Sequence, residues 1–170
     1  MRYCFSFWFL ISIFTIASIT NANAADPKKI SEKRDWAAYT FSGEAGKVCY
    51  IASAPKKQRG KYKKRGQPYA LVTNRPTQKI NGEVNFIAGY NFKKGSEVRV
   101  KINKKSFKLF TEQDGAWSAN PELDAKLVKA MKSGNRMVVY GRSSRGTKTM
   151  DTYSLSGFTA MKKRIDKACK

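Results

Sequence analysis

The 170-residue chain contains no histidine. That one absence removes imidazole general bases, histidine-dependent nucleophilic triads and the commonest transition-metal ligand. Acid is scarce as well: 12 Asp and Glu stand against 34 Lys and Arg, for a formal net charge of +22. The carboxylates are scattered, so an acid–base pair for glycoside chemistry would have to converge from distant elements. Only three cysteines occur, none in a Cys-x-x-Cys arrangement, which leaves neither a redox motif nor a zinc site of ordinary spacing. Long apolar runs are missing after the first 24 residues, so no later segment is able to span a bilayer as a helix. No catalytic, metal-ligating or cofactor-holding set is expected, and the chain reads as something other than an enzyme.

What is present begins with a leader. Arg2 supplies a short positive start, Phe5–Ile19 is almost purely apolar, and Ala22-Asn23-Ala24 places small residues where a signal peptidase reads. The pattern predicts a signal peptide over 1–24, cleaved before Ala25. The alternative, an uncleaved anchor, fits the Asn-Ala-Asn-Ala exit less well. Cys4 leaves with the leader. The two remaining cysteines, Cys49 and Cys169, form an even pair in an exported chain, which most simply means one disulfide closing a very long loop. The other option is two unpaired thiols. Export places the mature protein in the periplasm or outside the cell.

Residues 25–34 (ADPKKISEKR) show no apolar period and read as a flexible lead-in to a single domain over 35–170. Alternation then predicts strands across Trp36–Phe41, Lys47–Ala52, Tyr69–Thr73, Glu83–Tyr90, Glu97–Ile102, Ser106–Thr111, Arg136–Arg142 and Thr147–Leu155. Within Lys47–Ala52, Cys49 and Ile51 share the core face. Asn120-Pro121-Glu122 starts the one mid-chain helix, with Asn120 as N-cap and Leu123, Leu127, Ala130 and Met131 as its buried stripe; Gly134 closes it. Asp124 falls on the solvent face of that reading. Ser156 is expected to cap a C-terminal helix whose Phe158, Met161, Ile165 and Cys169 share a face, so that Cys169 can reach Cys49. Strand follows strand through short turns. The fold class is therefore mainly β: an antiparallel sandwich or partly open barrel of about 7–9 short strands, with a mid-chain and a C-terminal helix.

One stretch concentrates charge. Between residues 56 and 65, KKQRGKYKKR holds Lys56, Lys57, Arg59, Lys61, Lys63, Lys64 and Arg65, with Tyr62 as its single aromatic and no acid. Like charges this dense gain little by folding on one another, so the segment is either a solvated loop or a surface for an anion. All seven cations are candidate anion-binding residues, and Tyr62 is placed to stack on a partner or sit at an interface. The stretch GRSSRGTKTMDTYSL lacks phosphate-loop spacing and reads as a hairpin, whose Arg142, Arg145 and Lys148 can add to a cationic surface. Against this stands a bland alternative, uniform drift toward lysine, since the chain has 24 Lys to 10 Arg and bidentate anion sites favour Arg.

Taken in order, Asp35-Trp36, KVCYIASAP (47–55), KYKKRGQPYALVTNRP (61–76), YNFKKGSEVRV (90–100), SFKLF (106–110), SSRGTKTMDTYSLSGF (143–158) and Ala168-Cys169 resemble the invasion-associated locus B family of exported bacterial proteins. The resemblance covers nearly all of the mature chain. It implies a signal peptide, an all-β domain and a periplasmic or surface location, and it carries no catalytic residue with it. The expected function is a non-enzymatic periplasmic or cell-envelope protein whose basic surface meets anionic envelope components: lipopolysaccharide, phospholipid headgroups or acidic polysaccharide. Nucleic acid is not expected as a partner in that compartment. The alternative is a secreted or surface adhesin contacting host cells, for which an exposed apolar patch or sheet edge would matter more.

Overall fold

Period-two alternation builds most of this protein. A computed structural model describes residues 26–170; the signal peptide expected over 1–24, with Cys4 and the cleavage point, lies outside the described residues. Eleven strands form: β1 (Lys28–Lys33), β2 (Trp36–Gly43), β3 (Gly46–Ser53), β4 (Lys57–Arg59), β5 (Tyr69–Arg75), β6 (Ile80–Ile87), β7 (Glu97–Ile102), β8 (Lys105–Glu112), β9 (Gly115–Trp117), β10 (Arg136–Arg142) and β11 (Lys148–Ser154). Helix α1 (Pro121–Ser133) precedes β10, and α2 (Phe158–Ala168) follows β11. The mainly β reading with a mid-chain and a C-terminal helix is what the structure contains. The eight strands read from alternation are all there; β1, β4 and β9 are additional.

All the strands join one open antiparallel sheet in the order β1-β2-β3-β5-β6-β9-β8-β7-β10-β11-β4. The sheet is rolled, because its distant parts touch. Only residues 54–56 separate β3 from β4, yet β4 pairs at the far edge with β11. The Trp36 indole donates to the Ser154 carbonyl at 3.0 Å, and the Lys56 amide donates to the Thr152 carbonyl at 2.8 Å. Inside the roll, Trp36, Cys49, Ile51, Val72, Phe86, Val98, Val100, Leu109 and Tyr153 are buried in one cluster with the apolar faces of both helices. Strands and helices are thus fastened by the same core, and burial of each large apolar side chain contributes about 1.5–3 kcal/mol.

Residues 25–34, read as a lead-in, carry β1 at Lys28–Lys33. Its ladder to β2 skips a residue between Lys29 and Ser31, and Ile30 packs against the core. One apolar residue among cations leaves no alternation to read; backbone pairing holds this strand.

The helices are seated by polar detail. Asn120 caps α1, its side chain accepting from the Leu123 amide at 2.9 Å, and Leu127, Ala130 and Met131 are buried as the stripe requires. Asp124 is not on the solvent face; it is buried and accepts from the Val84 amide of β6 at 2.8 Å. Burial chiefly pushes its carboxyl above the usual range, against hydrogen bonds from Ser118 and Val84 that pull it down. The residue at the α2 N-cap is Gly157 rather than Ser156, at φ 94°. A Cβ there would sit 1.9 Å from the Lys33 carbonyl oxygen, so only glycine fits. On the same helix Lys162 is buried and donates to Asp166 and, at 3.0 Å, to Asn81. Asn74 of β5 donates to Asp166 at 2.9 Å and accepts from the Gly82 amide at 2.9 Å. Beside this network Cys49 and Cys169 form the disulfide, with Cα atoms 6.0 Å apart and a sequence separation of 120.

Candidate functional site

The cationic stretch does not act as one surface; the fold divides its seven charges among four environments. Lys56 forms an ion pair with Asp35. That contact, with help from Ser154, holds the Asp35 carboxyl below the usual range. Lys57 and Arg59 lie on β4, opposite Thr152 and Met150 of β11. Lys61, Lys63 and Lys64 line a cleft of about 600 Å³. Arg65 is buried.

Arg65 is the correction that matters most to the sequence reading. Its side chain is 2% exposed, so it is not a free cation at the surface. Two of its nitrogens meet the Asp151 carboxylate at 2.8 and 2.6 Å, and its Nε donates to the Ala88 carbonyl at 2.8 Å. The guanidinium carbon lies 5.4 Å from the Tyr62 ring centre and 5.0 Å from that of Tyr90. Burial alone would disfavour the charge, but the hydrogen bonds and opposite charge of Asp151 outweigh it and hold the guanidinium above its ordinary value. Burial pushes the Tyr90 hydroxyl up, opposed by its hydrogen bond with Thr149 and by Arg65. Arg65 therefore anchors the loop, as a planar fork matched to a carboxylate does.

A second pin lies next to it. The Gly66 amide donates to the Gly89 carbonyl at 2.9 Å. At Gly89 φ is 72°, and a Cβ would fall 2.2 Å from the Gly66 oxygen. Backbone meets backbone here with no room for a side chain. Loop 61–66 is thus fastened to β11 by the Arg65–Asp151 ion pair and to the segment just after β6 by the Gly66–Gly89 backbone contact, while Lys61, Lys63 and Lys64 stay exposed.

The opposite wall is the β10–β11 hairpin. The Ser143 amide donates to the Thr147 carbonyl at 2.9 Å, the Gly146 amide to the Ser143 carbonyl at 2.8 Å, and the Ser144 amide to the Asn91 carbonyl at 2.8 Å. These bonds set Arg145 at the tip, facing the lysines across the cleft, which Ser144, Asn91 and Tyr90 also line. The hairpin reading of this stretch is what forms, and its Arg145 joins the site. Among the described residues no acid lines the cleft. Asp151, behind it, is already engaged by Arg65. Four cations without an ion-pair partner among the described residues, the rings of Tyr62 and Tyr90 and several hydroxyl and amide groups can hold a phosphate or carboxylate together with a neutral polar portion of the same ligand.

Asp151 and Tyr90 were not read as parts of a site. One signal was available. Asp151 occupies a core-facing position between Thr149 and Tyr153 in an alternating strand, and a buried carboxylate demands a cation. Among the described residues no cluster of acids and cysteines with metal-binding geometry occurs, and no helix is long and apolar enough to cross a membrane.

No curated protein and no solved structure matches the chain. The family model described as "Invasion associated locus B (IalB) protein" matches residues 36–166. That span runs from the first core residue of β2 through the last turns of α2, taking in the loop, the hairpin and both walls of the cleft. The chain belongs to the invasion-associated locus B family.

Proposed function

We propose that this protein is a non-enzymatic exported module of the cell envelope, periplasmic or secreted, that binds the phosphate or carboxylate groups of an anionic envelope component in the cleft. The observation that carries the reading is the pairing of Lys61, Lys63 and Lys64 with Arg145 across a walled, acid-free cleft. Lipopolysaccharide phosphates and phospholipid headgroups offer the matching charge. Family membership and the disulfide support export, since such bonds persist in oxidising compartments. Binding of lipopolysaccharide by the parent protein and by a K61Q/K63Q/K64Q/R145Q variant, each at low and high salt, tests it. The parent is expected to bind at low salt and to weaken steeply as salt screens the exposed charges. Equal binding by parent and variant would sink the proposal.

A second reading has its own observation. On the outer side of β2 and β3, Tyr39 and Tyr50 stack at 5.1 Å, among Ala37, Phe41, Val48 and Ala52. A half-exposed apolar face of this kind suits protein contact and would serve an adhesin. Cell fractionation separates the two readings, because recovery only from the periplasm argues against direct contact with a host surface.

A further inference from the structure

The outer face of the rolled sheet is divided by charge. In β7 the outward positions are Glu97, Arg99 and Lys101; in β10 they are Arg136, Val138, Tyr140 and Arg142. Register extends the same face across Lys148 of β11 and Lys57 and Arg59 of β4, because directly paired residues point the same way. The other half of the sheet is different. Outward positions of β2, β3, β5 and β6 carry Tyr39, Phe41, Tyr50, Leu71, Asn85 and Ile87. The cations at outward positions of this half, Arg75 of β5 and Lys29 of β1 (opposite Tyr39), are ion-paired with Glu83 and Glu32. Uniform drift toward lysine predicts a similar density of cations on both outer faces, and the outward positions of this half carry only these two, each paired with an acid.

The cationic half also keeps an arrangement that costs stability. Arg142 stands directly opposite Lys148, and Arg99 directly opposite Lys108. Facing like charges in a ladder are destabilising. Glu97 offsets only the second pair, reaching Lys108 at 3.0 Å. Two shallow depressions run along β10 on this face. One, about 500 Å³, holds Lys101, Asn103, Asn135 and Arg136; the other, about 310 Å³, holds Arg99, Lys108, Arg142 and Lys148 together with Glu97, whose carboxylate is taken up by Lys108. They meet at Tyr140, which lines both. From Arg136 to Arg142 the trough is about 20 Å long at roughly 3.3 Å per residue.

We infer that this trough is a second anion-binding site, distinct from the cleft and independent of the reading given to it, and that its ligand is a linear acidic polysaccharide. A trough with cations at both ends and amide side chains at one end fits a chain of repeated charges and hydroxyls. Single-stranded nucleic acid fits less well. It needs open aromatic faces for stacking, and the Tyr140 ring is covered by the Arg99 guanidinium at 4.8 Å. A bilayer surface needs bulky apolar side chains standing among the cations. Between these cations lie the part-buried Val138, Met150 and Thr152, while the exposed Phe110 sits at the rim opposite Glu97.

The test measures affinity for polygalacturonate oligomers of increasing length, using two variants that each remove four charges. R99Q/K101Q/R136Q/K148Q removes two cations from each depression, and K61Q/K63Q/K64Q/R145Q strips the cleft of its unpaired cations. Circular dichroism and thermal melting confirm that both are folded. The trough variant is expected to lose about tenfold or more in affinity, with the cleft variant within about threefold of the parent. Affinity should rise with oligomer length and level off once the trough is spanned. Equal losses in the two variants would show delocalised charge and overturn the assignment, as would unchanged binding by the trough variant. Tighter, trough-dependent binding to oligothymidylate or to phosphatidylglycerol vesicles would reassign the partner and overturn the polysaccharide. Loss of lipopolysaccharide binding in the cleft variant alone leaves this result untouched, so the two sites fail separately.

Discussion

Replacing Asp151 by Asn is the most severe single test of how the cleft is built. The substitution keeps the shape but leaves the Arg65 guanidinium, 2% exposed, without the carboxylate that receives two of its hydrogen bonds. Removing one partner of a buried pair costs about 3–5 kcal/mol, because a desolvated charge is left behind. For a domain of this size that corresponds to a fall in Tm of about 10 °C or more. The companion variant, R65M/D151L, removes both charges and fills similar volume. It is expected to fall within about 1–2 kcal/mol of the parent, since a buried ion pair and an apolar pair are often nearly equal in energy. Urea unfolding of the oxidised protein, followed by intrinsic fluorescence, reads both values from the shift of the midpoint at constant slope. A cost below about 1 kcal/mol for Asp151→Asn would refute the reasoning, placing Arg65 with the exposed pairs that contribute little.

Two further outcomes follow from other parts of the fold. Reduction of Cys49–Cys169, or its replacement by a C49S/C169S pair, should lower stability by about 2–5 kcal/mol, the chain-entropy value for so long a loop lying near the top of that range; melting with and without reductant checks it. Asp124→Asn keeps an oxygen for the Val84 amide and removes the buried charge, so it should match or exceed the parent by up to about 1 kcal/mol at neutral pH. The sign follows from linkage. The folded carboxyl holds its proton more tightly than the unfolded one, so the parent gains on the variant as pH falls from above the folded pKa toward 3.8, and pH-dependent unfolding of the two proteins should converge over that window.

The parts legible in the sequence are those where neighbours along the chain decide the outcome. Alternation over Glu97–Ile102 and the Asn120-Pro121 start of α1 needed no distant partner to be read. The disulfide was legible because the expected compartment, an even cysteine count after the leader and one face of α2 agreed. The parts that stayed hidden depend on partners far away in sequence. β1 and β4 are short cationic segments that become strands because β2 and β11 offer ladder groups to them. Arg65 looks like its six neighbours in the loop, and only Asp151, 86 residues on, makes it structural. Asp124 was placed on the wrong face because helical periodicity shows which positions are apolar and not which carboxylate is needed to satisfy a buried amide of β6. Charge density located the candidate site, and topology sorted its charges between the cleft and the sheet.

The disulfide also orders events in time. A polypeptide emerges from its amino end, and Cys169 follows Cys49 by 120 residues. Strands β4 to β11 and both helices lie between the two sulfurs, so the whole rolled sheet must be made before the bond closes. It seals a ring that encloses the cleft and the trough, with β1 and β2 outside it. A chain caught before that moment already contains every residue of the cleft and of the trough.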